Sequence, residues 1–117
     1  MDISVSKDGL QFVRYYSRMQ NEMHQVAVSK GFHDKPVEDG TRLALIHSEV
    51  SEVLEALRKG NPPDDKVPEF TGEEAELADV VIRVMDYAGA KGLRIAEAIV
   101  AKSEYNKTRE KMHGKKF

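Results

Sequence analysis

Two stretches with helical periodicity each set a pair of carboxylates one turn apart, and whatever the chain folds into must neutralise both pairs. Glu49 and Glu52 form an E-x-x-E pair within Thr41–Lys59, and Glu76 and Asp79 an E-x-x-D pair within Glu73–Ala88. At that spacing the Cβ atoms lie roughly 5–6 Å apart, so like charges repel unless a cation lies between them. In the first stretch Leu43, Ile46, Val50, Val53, Leu54 and Leu57 make the core-facing stripe. Glu49 and Glu52 fall beside it, on a row bracketed by Leu45 and Ala56, which is unlike a solvated charge stripe.

The second stretch constrains the fold more tightly because it is apolar almost all round. Leu77, Val80, Val81, Val84 and Ala88 cover one side, and Ala75, Ala78, Ile82 and Met85 the other. A helix of that kind is buried on most of its circumference. Glu76, Asp79, Arg83 and Asp86 then form one narrow polar seam, and carboxylates in such a place must be paired, hydrogen-bonded or metal-bound.

Four acids, no cysteine in the chain and no histidine within either pair favour a hard cation with oxygen ligands, Mg²⁺ or Mn²⁺, over zinc or iron. The E-x-x-H of di-iron bundles is missing. A salt-bridge network with Arg83 and Lys102 is the alternative; for one E-x-x-E alone it is the better reading, but two pairs on successive helices shift the balance to metal.

The 117 residues imply one domain, residues 1–117, of all-α class with four main helices. A net charge of −2 argues against nucleic acid or an anionic membrane as partner. No apolar run approaches the length of a membrane span, and Met1-Asp2-Ile3-Ser4 does not read as the start of a signal peptide. The lack of cysteine fits a reducing, cytoplasmic setting.

The first helix is expected over Gly9–Ser29, capped by Asp8 with Gln11 in reciprocal position and stopped by Gly31. Within it Tyr16, Gln20 and His24 either pack in the core or line a pocket for a flat ring. Phe32 and His33 follow in a loop, either over a bound base or as a plug. Asp39 or Thr41 is the expected cap of the next helix. Gly60-Asn-Pro-Pro then opens a long connection to Thr71, a lid over the site or a surface for a partner subunit. Thr71-Gly-Glu-Glu74 is a capping box, and Lys91-Gly92 ends that helix.

The last helix is expected over Leu93–Met112. Its row Ile95, Ile99, Lys102, Asn106, Arg109 and His113 turns from apolar to cationic, which aims Lys102, Asn106 and Arg109 towards the acid seam or the pocket beside it. A point charge, an amide donor and a bidentate fork are what a polyphosphate needs.

With these residues in place the sequence resembles the MazG-like, all-α nucleoside triphosphate pyrophosphohydrolases. The resemblance is carried by Ser48-Glu49-Val50-Ser51-Glu52, Glu76-Leu77-Ala78-Asp79 and Lys102-Ser-Glu-Tyr-Asn106-Lys-Thr-Arg109, and runs from about Met19 to the C-terminus. Ser48 replaces the leading glutamate of the stricter pattern. His33 stands in a loop where relatives similar to deoxycytidine triphosphatases carry a tryptophan, so base preference does not transfer. The resemblance implies Mg²⁺-dependent cleavage of a nucleoside triphosphate between the α and β phosphorus atoms, in a MazG-like bundle completed as a homodimer or homotetramer.

Under that resemblance Glu49, Glu52, Glu76 and Asp79 hold metal, and Glu49 or Glu52 accepts the proton of the attacking water. Lys102, Asn106, Arg109 and Arg83 hold phosphates. Tyr16, Gln20, His24 and His33 are the candidate base pocket. Competing expectations are a non-catalytic nucleotide or metal sensor, a structural helical module, and phosphoribosyl-ATP pyrophosphohydrolysis.

Overall fold

The computed structural model describes residues 6–117, and Met1-Asp2-Ile3-Ser4 lies outside them. Four helices follow one another: α1 Lys7–Ser29, α2 Asp39–Arg58, α3 Gly72–Lys91 and α4 Ile95–Asn106, with a turn at Lys111–Gly114 in which Met112 and His113 have positive φ. Among the described residues there is no strand, only an isolated antiparallel bridge between Pro63 and Thr71. None of the described helices is long and apolar enough to cross a membrane.

The caps explain most boundaries and correct some expectations. Ser6, not Asp8, starts α1: its hydroxyl accepts the Gly9 amide at 3.0 Å, leaving Asp8 in the first turn where its charge suits the helix dipole. Gly31, at φ 87°, closes α1 and lets the Phe32 amide return to the Ala27 carbonyl. Glu38 precedes α2 without a side-chain cap, and neither Asp39 nor Thr41 fills that role. Asp39 instead takes the Lys91 ammonium at the far end of α3. The Thr71–Glu74 capping box is formed in both directions, and Gly92 ends α3 in the left-handed region.

The connection between α2 and α3 is tied down by local hydrogen bonds. Asn61, at φ 54°, accepts the Glu73 amide on its side-chain oxygen at 2.8 Å. Asp64 accepts the amides of Lys66 and Val67 at 2.9 Å each, and the Gly72 amide returns to the Pro62 carbonyl at 2.7 Å. These local bonds hold the loop as a clamp at the α2–α3 corner.

Helix α3 is the centre of the fold and runs antiparallel to both neighbours. Lys91 meets Asp39, Arg83 meets Glu49 and Gly72 abuts Ala56 along α2. Along α1, Gly89 lies against Gln20 and His24, and Asp86 against His24. A Cβ at Gly89 would stand 2.7 Å from that of His24, so glycine sets how closely α1 approaches. Helix α4 packs on α1 and ends at Asn106, short of the expected Met112. Its second half, Lys102 to Asn106, is exposed, and a helix with no packed face has little to sustain another turn.

The core is thin. Val53, Ala88 and Ala96 are its buried apolar side chains among the described residues. Contrary to the burial expected of α3, Leu77, Val81 and Ile82 remain 48%, 46% and 42% exposed. The chain exposes 9068 Å², against about 6,400 Å² for a compact monomer of its 13.2 kDa. Its radius of gyration is 16.7 Å, where a compact chain of this length has about 13 Å.

Candidate functional site

The seam on α3 meets Glu49 of α2 beside an open cavity of about 410 Å³. Glu49, Asp79, Arg83 and Asp86 line it together with Lys66 from the α2–α3 loop and Lys30 and Phe32 from the end of α1. Val26, Ala27 and Ile82 give it an apolar floor. The cavity therefore combines carboxylates, cations and an aromatic plate, with Phe32 lying 5.9 Å from the Arg83 guanidinium.

Glu49, Glu76 and Asp79 each bring one carboxylate oxygen within 4.8 Å of the others. Like charges at such range repel by about 1–3 kcal/mol per pair, depending on how much water lies between them. Burial raises the pKa of Glu76, and the charges of Asp79, Glu52, Glu49 and Asp64 raise it further. Asp79 is raised by desolvation on its cavity side and by Glu49 and Asp64, with Lys66 and Arg83 opposing. Arg83 donates from Nε to Glu49 at 2.8 Å, which compensates one member of the trio.

Glu52 is near enough to act on Glu76 but is exposed and stands outside the converging trio. Asp79 is exposed as well, and no polar or charged residue among those described is fully buried. The expectation of four enclosed acids is thus corrected to three converging acids at a half-open site. The open flanks of α3 at Leu77, Val81 and Ile82 are the reason.

The phosphate-binding expectations divide. Arg83 lines the cavity, whereas Lys102, Asn106 and Arg109 are exposed and do not. Helix α4 leans on α1 rather than on the acid-bearing helices, and Arg109 lies beyond its end with its guanidinium 5.5 Å from the Tyr105 ring. Within one chain the cations at the cavity are Lys30, Lys66 and Arg83. Lys30 and Lys66 follow a helix end and a loop turn, where no periodicity points to a site; the Asp64 turn was the only local signal.

The candidate base pocket also divides. Tyr16 packs near Phe12, with ring centroids 5.5 Å apart, and burial raises its pKa. Gln20 donates to the Leu93 carbonyl at 3.0 Å, tying α1 to the α3–α4 turn. Neither lines the cavity. His24 and His33 instead converge on Asp86, at 2.9 Å from Nδ1 and 2.7 Å from Nε2, with their rings edge to face. Asp86 was part of the α3 seam in sequence, but its histidine partners come from α1 and a loop and share no spacing with it.

The donor set at Glu49, Glu76 and Asp79 fits a hard divalent cation: three carboxylates converge, and the site is open enough for water to complete the coordination. Comparison of the chain with protein-family profiles, with curated proteins and with solved structures found no match.

Proposed function

We propose that this chain is a Mg²⁺-dependent nucleoside triphosphate pyrophosphohydrolase of MazG-like type, releasing the monophosphate and pyrophosphate. The observation that carries the reading is the convergence of Glu49, Glu76 and Asp79 beside a cavity that also holds Lys30, Lys66 and Arg83. Carboxylates alone suit a cation; carboxylates facing a group of bases suit a cation with a polyphosphate.

Glu49, Glu76 and Asp79 would hold the Mg²⁺, with Mn²⁺ as a substitute. Bound there, the cation supplies neutralisation of phosphate charge and acidification of a nearby water. Glu52, whose charge acts on Glu76 from outside the trio, would accept the proton of the water that attacks the α-phosphorus. As that P–O bond forms, the α–β bridging bond breaks and its electron pair leaves with pyrophosphate. Lys30, Lys66 and Arg83 balance the charge of the leaving group. Phe32 offers an apolar face for a flat ring.

The exposed apolar flank of α3 and the surface excess of the chain support a homodimer or homotetramer. In such an assembly Lys102 and Asn106, exposed on their own chain, would supply the phosphate contacts of a second copy.

A panel of ribo- and deoxyribonucleoside triphosphates and phosphoribosyl-ATP, assayed for pyrophosphate with and without Mg²⁺, tests the reading. Mg²⁺-dependent pyrophosphate from a nucleoside triphosphate is the expected result. Release confined to phosphoribosyl-ATP would transfer the chain to that related activity. The Arg83–Glu49 ion pair favours a second reading, a nucleotide sensor in which arginine occupies a ligand of the metal centre. That reading requires Mg²⁺-dependent nucleotide binding with no product.

A further inference from the structure

We propose that His24, His33 and Asp86 form a second metal centre, one that takes a divalent transition cation such as Zn²⁺ in preference to Mg²⁺. The three residues come from α1, the loop after it and α3, and one ligating atom of each lies within 4.8 Å of the other two. Both imidazoles aim a ring nitrogen at the same Asp86 oxygen. Their side chains are 19% and 15% exposed, and that of Asp86 is 18%, so the cluster is screened from bulk water without being sealed. Asp86 also lines the cavity, which gives an ion a way in.

Chemistry separates this cluster from the carboxylate trio. Two imidazoles and one carboxylate are a borderline donor set that suits zinc, cobalt or ferrous iron, whereas three carboxylates suit magnesium. Among the described residues Asp86 pairs with neither lysine nor arginine, although Arg83 is one turn away on the same helix. Arg83 is turned to Glu49 instead, which leaves the carboxylate of Asp86 to the histidines. The seven residues from Asp79 to Asp86 place the two centres roughly 10 Å apart along α3.

Geometry is close to what the ion needs. Donor atoms around a tetrahedral zinc with bonds of 2.0–2.1 Å stand about 3.3 Å apart, and the imidazole nitrogens lie 2.9 and 2.7 Å from the Asp86 oxygen. Small side-chain movements open that space. Each imidazole would bind the ion, as neutral histidine does, through the nitrogen that faces Asp86, with its proton on the opposite ring nitrogen. Water fills the remaining coordination positions from the cavity side.

Co²⁺ is the probe, because its visible absorption is intense when it is low-coordinate with imidazole donors and weak when it is surrounded by oxygen. The full-length chain is titrated with Co²⁺, followed by displacement with Zn²⁺. The expected result is about one strongly absorbing equivalent per chain, unaffected by millimolar Mg²⁺ and bleached by Zn²⁺. His33→Ala changes a loop residue and should weaken binding tenfold or more with the helical circular dichroism retained. Asp86→Asn, which keeps the side-chain shape, should do the same.

Asp79→Asn disables the carboxylate centre and should leave the cobalt spectrum intact, so the two centres fail or stand independently. Absence of the absorption in the wild-type chain, or absorption undiminished in His33→Ala and Asp86→Asn, would overturn the proposal. In that case the three residues serve only as a hydrogen-bonded tie between α1 and α3.

Discussion

At Glu76 every neighbouring charge pushes the same way, so its raised pKa fixes the sign of a pH effect. The folded chain binds that proton more tightly than the unfolded chain does. Ionised Glu76 therefore detracts from stability above its folded pKa and no longer does so once the pH falls below the ordinary carboxylate value. Glu76→Gln should raise the metal-free melting temperature by a few degrees at neutral pH, with the gain vanishing in acid. The same variant should lose pyrophosphate release by two orders of magnitude or more. A melting curve lowered at neutral pH would show that Glu76 is already compensated. Arg83 makes the converse case, since in the proposed metal centre its guanidinium would compete with the cation for Glu49. Arg83→Met should tighten Mg²⁺ binding several-fold in calorimetric titration without nucleotide, yet slow turnover through loss of a phosphate contact.

Among the elements, α3 does most to set positions, and it was also the most legible in sequence. Its capping box and its glycine stop are local patterns written within one turn, and they are found where the spacing puts them. What the spacing did not hold was anything decided by a neighbour. Ser6 caps α1 because of how the chain enters the helix, Asp39 is drawn to Lys91 across the fold, and α4 stops at Asn106 for want of a packed face. Lys66 reaches the cavity through the Asp64 turn, and His24, His33 and Asp86 meet from three separate segments.

Close helix approach carries a further prediction. Gly89→Ala places a Cβ 2.7 Å from His24, and forcing α1 outward should cost about 1–3 kcal/mol in urea unfolding. That exceeds the gain of under about 1 kcal/mol from replacing a helical glycine. Removing the cap by Thr71→Ala should cost about 1 kcal/mol in the same measurement.

For the molecule as a whole, surface is the governing quantity. Leu77 and Val81 form an open flank on the very helix that carries Glu76 and Asp79, and Ile82 is exposed on its cavity side. Light scattering at micromolar concentration should give at least twice the chain mass, and Leu77→Asp should reduce it to that of one chain. A single-chain mass for the wild type would remove the proposed assembly while leaving the carboxylate trio in place.

A core that, among the described residues, buries little more than Val53, Ala88 and Ala96 also has a bearing on abundance. If much of the folding free energy resides in contacts between copies, thermal midpoints will climb as the sample is made more concentrated, as mass action requires. Dilution would then act as an off-switch, with scarce chains loosening and becoming prey to proteases.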